Sequence, residues 1–235
     1  MSHATLASLL HERLGLALPP VALALADEPP AGVARAAGRV PSACAFWRQA
    51  EHGVFYASAE DHLGCPIGAM VMGFDLPASA MQELMGLVQQ MCAIGYVQQE
   101  EVPHIPKFGR PARGIVYGPL AQFPVEPDVV LLWATPRQAM LLQEAVGAVQ
   151  WAEHPEGALF GRPACGALPT AVARGTTTVS VGCMGMRTYT EIPDDRCLVA
   201  IPGGSLPALS ETLARTHAAN EEMRQFYLSQ KARFA

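Results

Sequence analysis

The sequence predicts a mixed α/β (α+β) protein, a single compact domain over residues 1–235 built from two internally duplicated halves. Three observations lead there. A cysteine motif occurs twice, each copy with a strand-like run between an Ala-Cys and a Gly-Cys. Short apolar runs bounded by Asp and Pro read as buried strands, and segments with apolar residues at helical spacing lie between them.

In chain order, Leu6, Leu9, Leu10 and Leu14 recur at helical spacing and predict an opening amphipathic helix within residues 2–16. Pro20 introduces Val21–Leu25, a buried strand that Asp27-Glu28-Pro29-Pro30 ends. The first cysteine motif follows: Ala43-Cys44-Ala45-Phe46-Trp47-Arg48-Gln49-Ala50, Gly53, the strand-like Val54–Ser58, then Gly64-Cys65-Pro66-Ile67-Gly68. Next comes the clearest helix. Ser79 with Gln82 predicts a capping box, Met81, Leu84, Met85, Val88, Met91 and Cys92 predict one apolar face packed in the core, and Gly95 predicts the stop.

Residues 100–113 read as a loop carrying His104, Lys107, Arg110 and Arg113, and Gly114–Tyr117 as a strand. Asp128–Ala134 is an apolar strand. Thr135 and Gln138 cap a helix with Pro136 at its first position, expected to reach about Val149. The second motif runs Ala164-Cys165, Ala171, Gly175, the strand-like Thr176–Val181, then Gly182-Cys183-Met184-Gly185. In both copies an Ala stands six residues after the first Cys. Asp194–Pro202 echoes Asp128–Pro136 and predicts a last strand, followed by a helix over 206–230. Its end, Met223, Phe226, Tyr227 and Leu228, would pack on the body or on a partner subunit, giving a homo-oligomer. The two halves span about 20–118 and 127–200, the large helix being an insertion in the first. A pseudo-twofold between them would let their loops converge on one site.

Composition narrows the function. With a net charge of −5 and no Lys/Arg run, the chain offers no phosphate-neutralising face, which argues against nucleic acid. No apolar run is long enough to span a bilayer, and no signal peptide is evident, so a cytoplasmic protein is expected. There the six cysteines are reduced thiols or metal ligands rather than disulfides.

Cys44, Cys65, Cys165 and Cys183 are the candidate site. Four thiolates are soft, strongly donating ligands that suit an iron–sulfur cluster or a tetrahedral zinc. The glycines before Cys65 and Cys183 would let backbone approach a bulky cofactor, and Cys65-Pro66 resembles the Cys-Pro that ends some ferredoxin ligand runs. The absence of any Cys-x-x-Cys leaves two other readings of the quartet open: redox-active or substrate-binding thiols, and core packing. Cys92 and Cys197 read as inert core residues. His62, three residues before Cys65, would share the metal or activate the thiol, or else face solvent in the turn Glu60-Asp61-His62. Arg48 and Arg187 would bind an anionic part of the cofactor or form surface ion pairs. Phe46, Trp47, Phe55, Tyr56, Met70, Met72, Met184 and Met186 would line a pocket for a flat apolar cofactor, or a core.

Taken together, Cys44-Ala-Phe-Trp-Arg-Gln-Ala50 with Gly53, Cys65-Pro-Ile-Gly68 with Gly73, Arg162-Pro-Ala-Cys165 and Gly182-Cys183-Met-Gly-Met-Arg187 resemble the family of domain of unknown function 169, also labelled ArCR. The resemblance covers about Leu14 to Gly203. It implies a single full-length domain and directs attention to the motif cysteines, without implying a reaction.

The resulting expectation is a redox or cofactor-binding protein holding an iron–sulfur cluster or other metal cofactor with Cys44, Cys65, Cys165 and Cys183. The alternative is a non-enzymatic small-ligand or sensor protein with a cleft between the halves. A third reading makes Cys65 or Cys183 a nucleophile activated by His62 or Arg187.

Overall fold

A computed structural model describes residues 1–146 and 159–233. Helix α1 (His3–Leu14) is capped by the Ser2 hydroxyl, which accepts from Thr5 N, and ends at Gly15 with φ 65°. Strand β1 (Val21–Ala26) follows, then the two-residue β2 (Ala34–Arg35), short α2 (Ala45–Gln49), β3 (Phe55–Ser58) and α3 (Pro66–Val71). The long α4 (Ala78–Ala93) leads through a 3-10 segment to β4 (Gly114–Pro119). The second half contributes β5 (Val129–Ala134), α5 (Pro136–Ala145), β6 (Leu159–Phe160), α6 (Ala167–Arg174), β7 (Thr178–Ser180), α7 (Met184–Thr190) and β8 (Cys197–Pro202). The chain closes with α8 (Leu206–Ala232).

All eight strands described form one mixed sheet in the order β2-β3-β4-β1-β5-β8-β7-β6. The order reads the same from either edge once the halves are exchanged. Orientation repeats too: β2 is parallel to β3 as β6 is to β7, and every other neighbouring pair is antiparallel. So does register. Val21 faces Pro119 and Ala26 faces Gly114 across β1 and β4, as Val129 faces Pro202 and Ala134 faces Cys197 across β5 and β8. The structural counterpart of β5 is therefore β1. The sequence echo between Asp128–Pro136 and Asp194–Pro202 links β5 instead to β8, its partner in the sheet.

Strand alternation divides the core into two. Val21, Leu23, Leu25, Val129, Leu131 and Trp133 face one layer with α2, α3, α6 and α7, while Ala22, Ala24, Val130, Leu132 and Ala134 face the other with α1, α5 and α8. Helix α5 carries the expected capping box: Thr135 accepts from Gln138 N, and Gln138 accepts from Thr135 N. Its expected extension to Val149 runs past the described residues. No described helix is long and apolar enough to cross a membrane.

Two helices differ from expectation. Helix α4 begins after Pro77, without the Ser79–Gln82 box, because Pro77 in extended conformation already sets the first turn. Only Ala80 and Leu84 are buried on it, and Met81 and Met85 are exposed. It is a cover rather than a core helix. Gly95, at φ 70°, is the stop. On α8, burial ends with Leu213, and Met223, Phe226, Tyr227 and Leu228 stay exposed rather than packing on the body.

Candidate functional site: a thiol-lined cavity

The two cysteine motifs occupy equivalent places. Cys44 immediately precedes α2, and Cys165 sits in the 3-10 turn that leads into α6. After β3 and β7, Cys65 and Cys183 are the N-cap residues of α3 and α7. Cys183 Sγ there accepts from Met186 N at 3.5 Å. All four side chains line a single cavity of about 400 Å³. Sheet topology brings them together, since each pair rides on loops over the same face of the sheet.

Ser42, Ala43 and Trp47 form one part of the wall, Ile67 and Met186 another. Leu87, Val88 and Met91 of α4 cover the cavity from outside, and the following segment adds Tyr96, Val97 and Ile105. Polar groups in the lining include Glu83, Glu101, Tyr189 and Arg162. The Arg162 guanidinium lies 4.2 Å from the centre of the Tyr96 ring, and the Tyr96 hydroxyl accepts from Met184 N at 3.3 Å. The segment after α4 is thus fastened to the second motif.

Cys44 and Cys165 are held neutral. Burial pushes Cys44 up to about 12, against the Ser42 hydrogen bond that favours its thiolate, and the neighbouring Cys65 and Cys183 push it further the same way. Cys165 is raised well above the ordinary thiol range by burial first, then by Cys65, Cys44 and Cys183. A thiolate at either buried position would be poorly solvated and would feel the sulfurs around it. Four thiolates could coexist here only with a compensating cation.

Several expected participants are engaged elsewhere. Arg48 pairs with Glu51, whose buried carboxylate also accepts from Trp133 Nε1 at 3.0 Å. Arg187 donates to the carbonyls of Val181 at 2.6 Å and Arg196 at 3.0 Å and pairs with Asp194, so it fastens the turn before β8. Neither arginine lines the cavity. His62 is neither a solvent-facing turn residue nor a cavity residue: it is fully buried. Its Nδ1 donates to Ser58 O at 2.7 Å, so its Nε2 accepts from the Tyr117 hydroxyl at 2.8 Å, while Phe46 and Phe74 pack on the ring. Burial drives its pKa down to about 4, which keeps the imidazole neutral.

Of the expected apolar lining, Trp47 and Met186 reach the cavity. Phe46 and Phe55 stack with Tyr117 in the core, Tyr56 belongs to the opposite face, and Met184 is exposed. The glycines preceding the N-cap cysteines serve the backbone. A Cβ on Gly64 would collide with the Val40 carbonyl, and Gly182 adopts φ 89° beside Met186. Cys197 donates to Ala134 O at 3.2 Å inside the sheet, the inert place expected of it, whereas Cys92 is half-buried on the cover helix. Ser42, Tyr96 and Arg162 were not singled out by the sequence, although Arg162 stands in the Arg162-Pro-Ala-Cys165 run.

Among the described residues, no group of three or more His, Cys, Asp or Glu side chains is arranged to hold a metal ion. The four sulfurs thus border a space instead of converging on a point. Trp47 is fully buried, and its indole N–H has no acceptor among the described residues.

The fold and site define an α/β protein with paired cysteine motifs around one mostly apolar cavity. The chain belongs to the DUF169 family, described as uncharacterised ArCR, whose model matches residues 9–212. No curated protein and no solved structure matches it.

Proposed function

We propose that this is a redox or cofactor-binding protein in which Cys44, Cys65, Cys165 and Cys183 hold an iron–sulfur cluster in the cavity. The observation that supports it best is that four cysteines, from two equivalent motifs, line the same space. A single zinc would need its sulfurs all within about 2.3 Å of one ion. A cluster distributes its ligands over several irons, which suits thiols that surround a volume. The bound iron would supply the positive charge that four thiolates in this wall require, and the chemistry it would bring is one-electron transfer. Around it, the chain's own contribution is an apolar wall of Leu87, Val88, Met91 and Met186.

Six free thiols suit a reducing compartment, and we place the protein in the cytoplasm on that basis. The matching strand order and register support an origin of the two halves by duplication, with α4 and the segment after it inserted into the first. Purification without oxygen, followed by iron and sulfide analysis, tests the cluster: stoichiometric iron is expected, and its loss in each single Cys→Ser variant.

A second reading is favoured by the size and character of the cavity. About 400 Å³ with a largely apolar wall falls in the range of small-ligand sites. In that reading the thiols are contacts for an apolar or anionic compound, with Arg162 at hand for the anion. A metal-free protein whose thermal stability rises with such a compound would establish it.

A further inference from the structure

Charged and uncharged residues of the cavity lining are segregated. Cys44, Trp47, Cys165 and Met186 are buried and form its deep part. Glu83, Glu101 and Arg162, the charged residues of the described lining, are all exposed and stand at its mouth. A protonated thiol behaves as a small, weakly polar hydrophobe, so the two buried cysteines accept an alkyl chain as readily as Met186 does. A compound that suits both ends is apolar inside and charged outside.

The mouth also selects the charge. The Arg162 guanidinium lies over the Tyr96 ring, 4.2 Å from its centre. Stacking uses the face of the guanidinium and leaves its in-plane N–H fork for a ligand. No described carboxylate pairs with it. Glu101 already accepts from Gln98 N at 2.8 Å, and Glu83 and Glu101 would both repel a second negative charge on the occupant. One carboxylate matches the fork with two parallel hydrogen bonds, whereas a phosphate dianion meets that repulsion.

We infer that the cavity takes an apolar monocarboxylate, with its hydrocarbon part among the buried residues and its carboxylate on Arg162. This rests on the small-ligand reading above and names the class of ligand.

The test measures binding of decanoate, decanol and decylammonium to the metal-free full chain by calorimetry, for the wild type and for Arg162→Gln. Decanoate should bind the wild type most tightly of the three. It should bind the variant about tenfold more weakly, with decanol unchanged. A decanoate affinity that Arg162→Gln leaves unchanged, or lowers no more than that of decanol, overturns the inference and leaves the small-ligand reading standing. A preference for decylammonium does the same. If none of the three binds, both fall. In the wild type, saturating decanoate should slow iodoacetamide labelling of the half-buried Cys65 and Cys183. Unchanged labelling would place binding outside the cavity and overturn the inference.

Discussion

The Ser42 hydroxyl lies 2.8 Å from Cys44 Sγ and 4.0 Å from Cys65 Sγ, so one small polar side chain touches both cysteines of the first motif. It is the contact that most favours the Cys44 thiolate, against burial and two neighbouring thiols. With its pKa near 12, Cys44 carries about a thousandfold less thiolate at pH 8 than a thiol of ordinary pKa. In metal-free protein, iodoacetamide should therefore modify Cys44 far more slowly than a free peptide cysteine, and Ser42→Ala should slow it further. Peptide mass spectrometry over a time course reads this. Modification of Cys44 at the free-peptide rate would contradict it.

Neutral burial of Cys44 also ties stability to alkaline pH. The unfolded thiol ionises near 9 while the folded one stays protonated to about 12. Between those values the folded state binds more protons, so stability falls as pH rises. Urea unfolding of the cofactor-free protein at pH 8 and pH 10 should show the loss, and Cys44→Ser, which removes the titrating group, should reduce the pH dependence.

His62 works in the opposite direction. Its folded pKa near 4 lies below the ordinary 6.5, so between these values the unfolded state binds the extra proton and stability is lost as pH falls. The shift corresponds to ~3 kcal/mol at pH 4. Replacing His62 by Gln should flatten the wild-type decline between pH 6.5 and 4 in urea unfolding. An unchanged decline would show that other groups carry it.

Glu51 is a buried carboxylate within the first cysteine motif, held by Arg48 and Trp133. Burial raises its pKa, opposed by Arg48 and by the Trp133 N–H. Glu51→Leu leaves the Trp133 donor without its acceptor and should cost about 2 kcal/mol, whereas Glu51→Gln keeps an acceptor oxygen and should cost less. Chemical unfolding midpoints of the two variants give the ordering.

Much of the framework was legible. β1, β5 and β8 follow from apolar runs, because a strand covered by helices on both faces has no need of polar alternation. The α5 capping box was readable because Thr135, Pro136 and Gln138 act within one turn. The four cysteines were readable as a set, and their shared cavity follows from the order of strands that no local pattern encodes. The burial of His62 was hidden for the same reason: its acidic neighbours mark a turn, but Tyr117, which pairs with its ring, is 55 residues away. Arg187 looked available for an anion because its carbonyl partners belong to backbone, which leaves no trace in side-chain chemistry. The stripe on α4 was correctly seen as apolar and wrongly assigned to the core, since Leu87, Val88 and Met91 face a cavity rather than packed side chains.

The proposed cluster in the cysteine cavity is tested most directly by the absorption spectrum and iron content of the full chain purified without oxygen. A brown protein with stoichiometric iron and sulfide, both lost in Cys44→Ser, Cys65→Ser, Cys165→Ser and Cys183→Ser, is the expected result. A colourless protein that stays free of iron after native expression and after loading with iron and sulfide would contradict it.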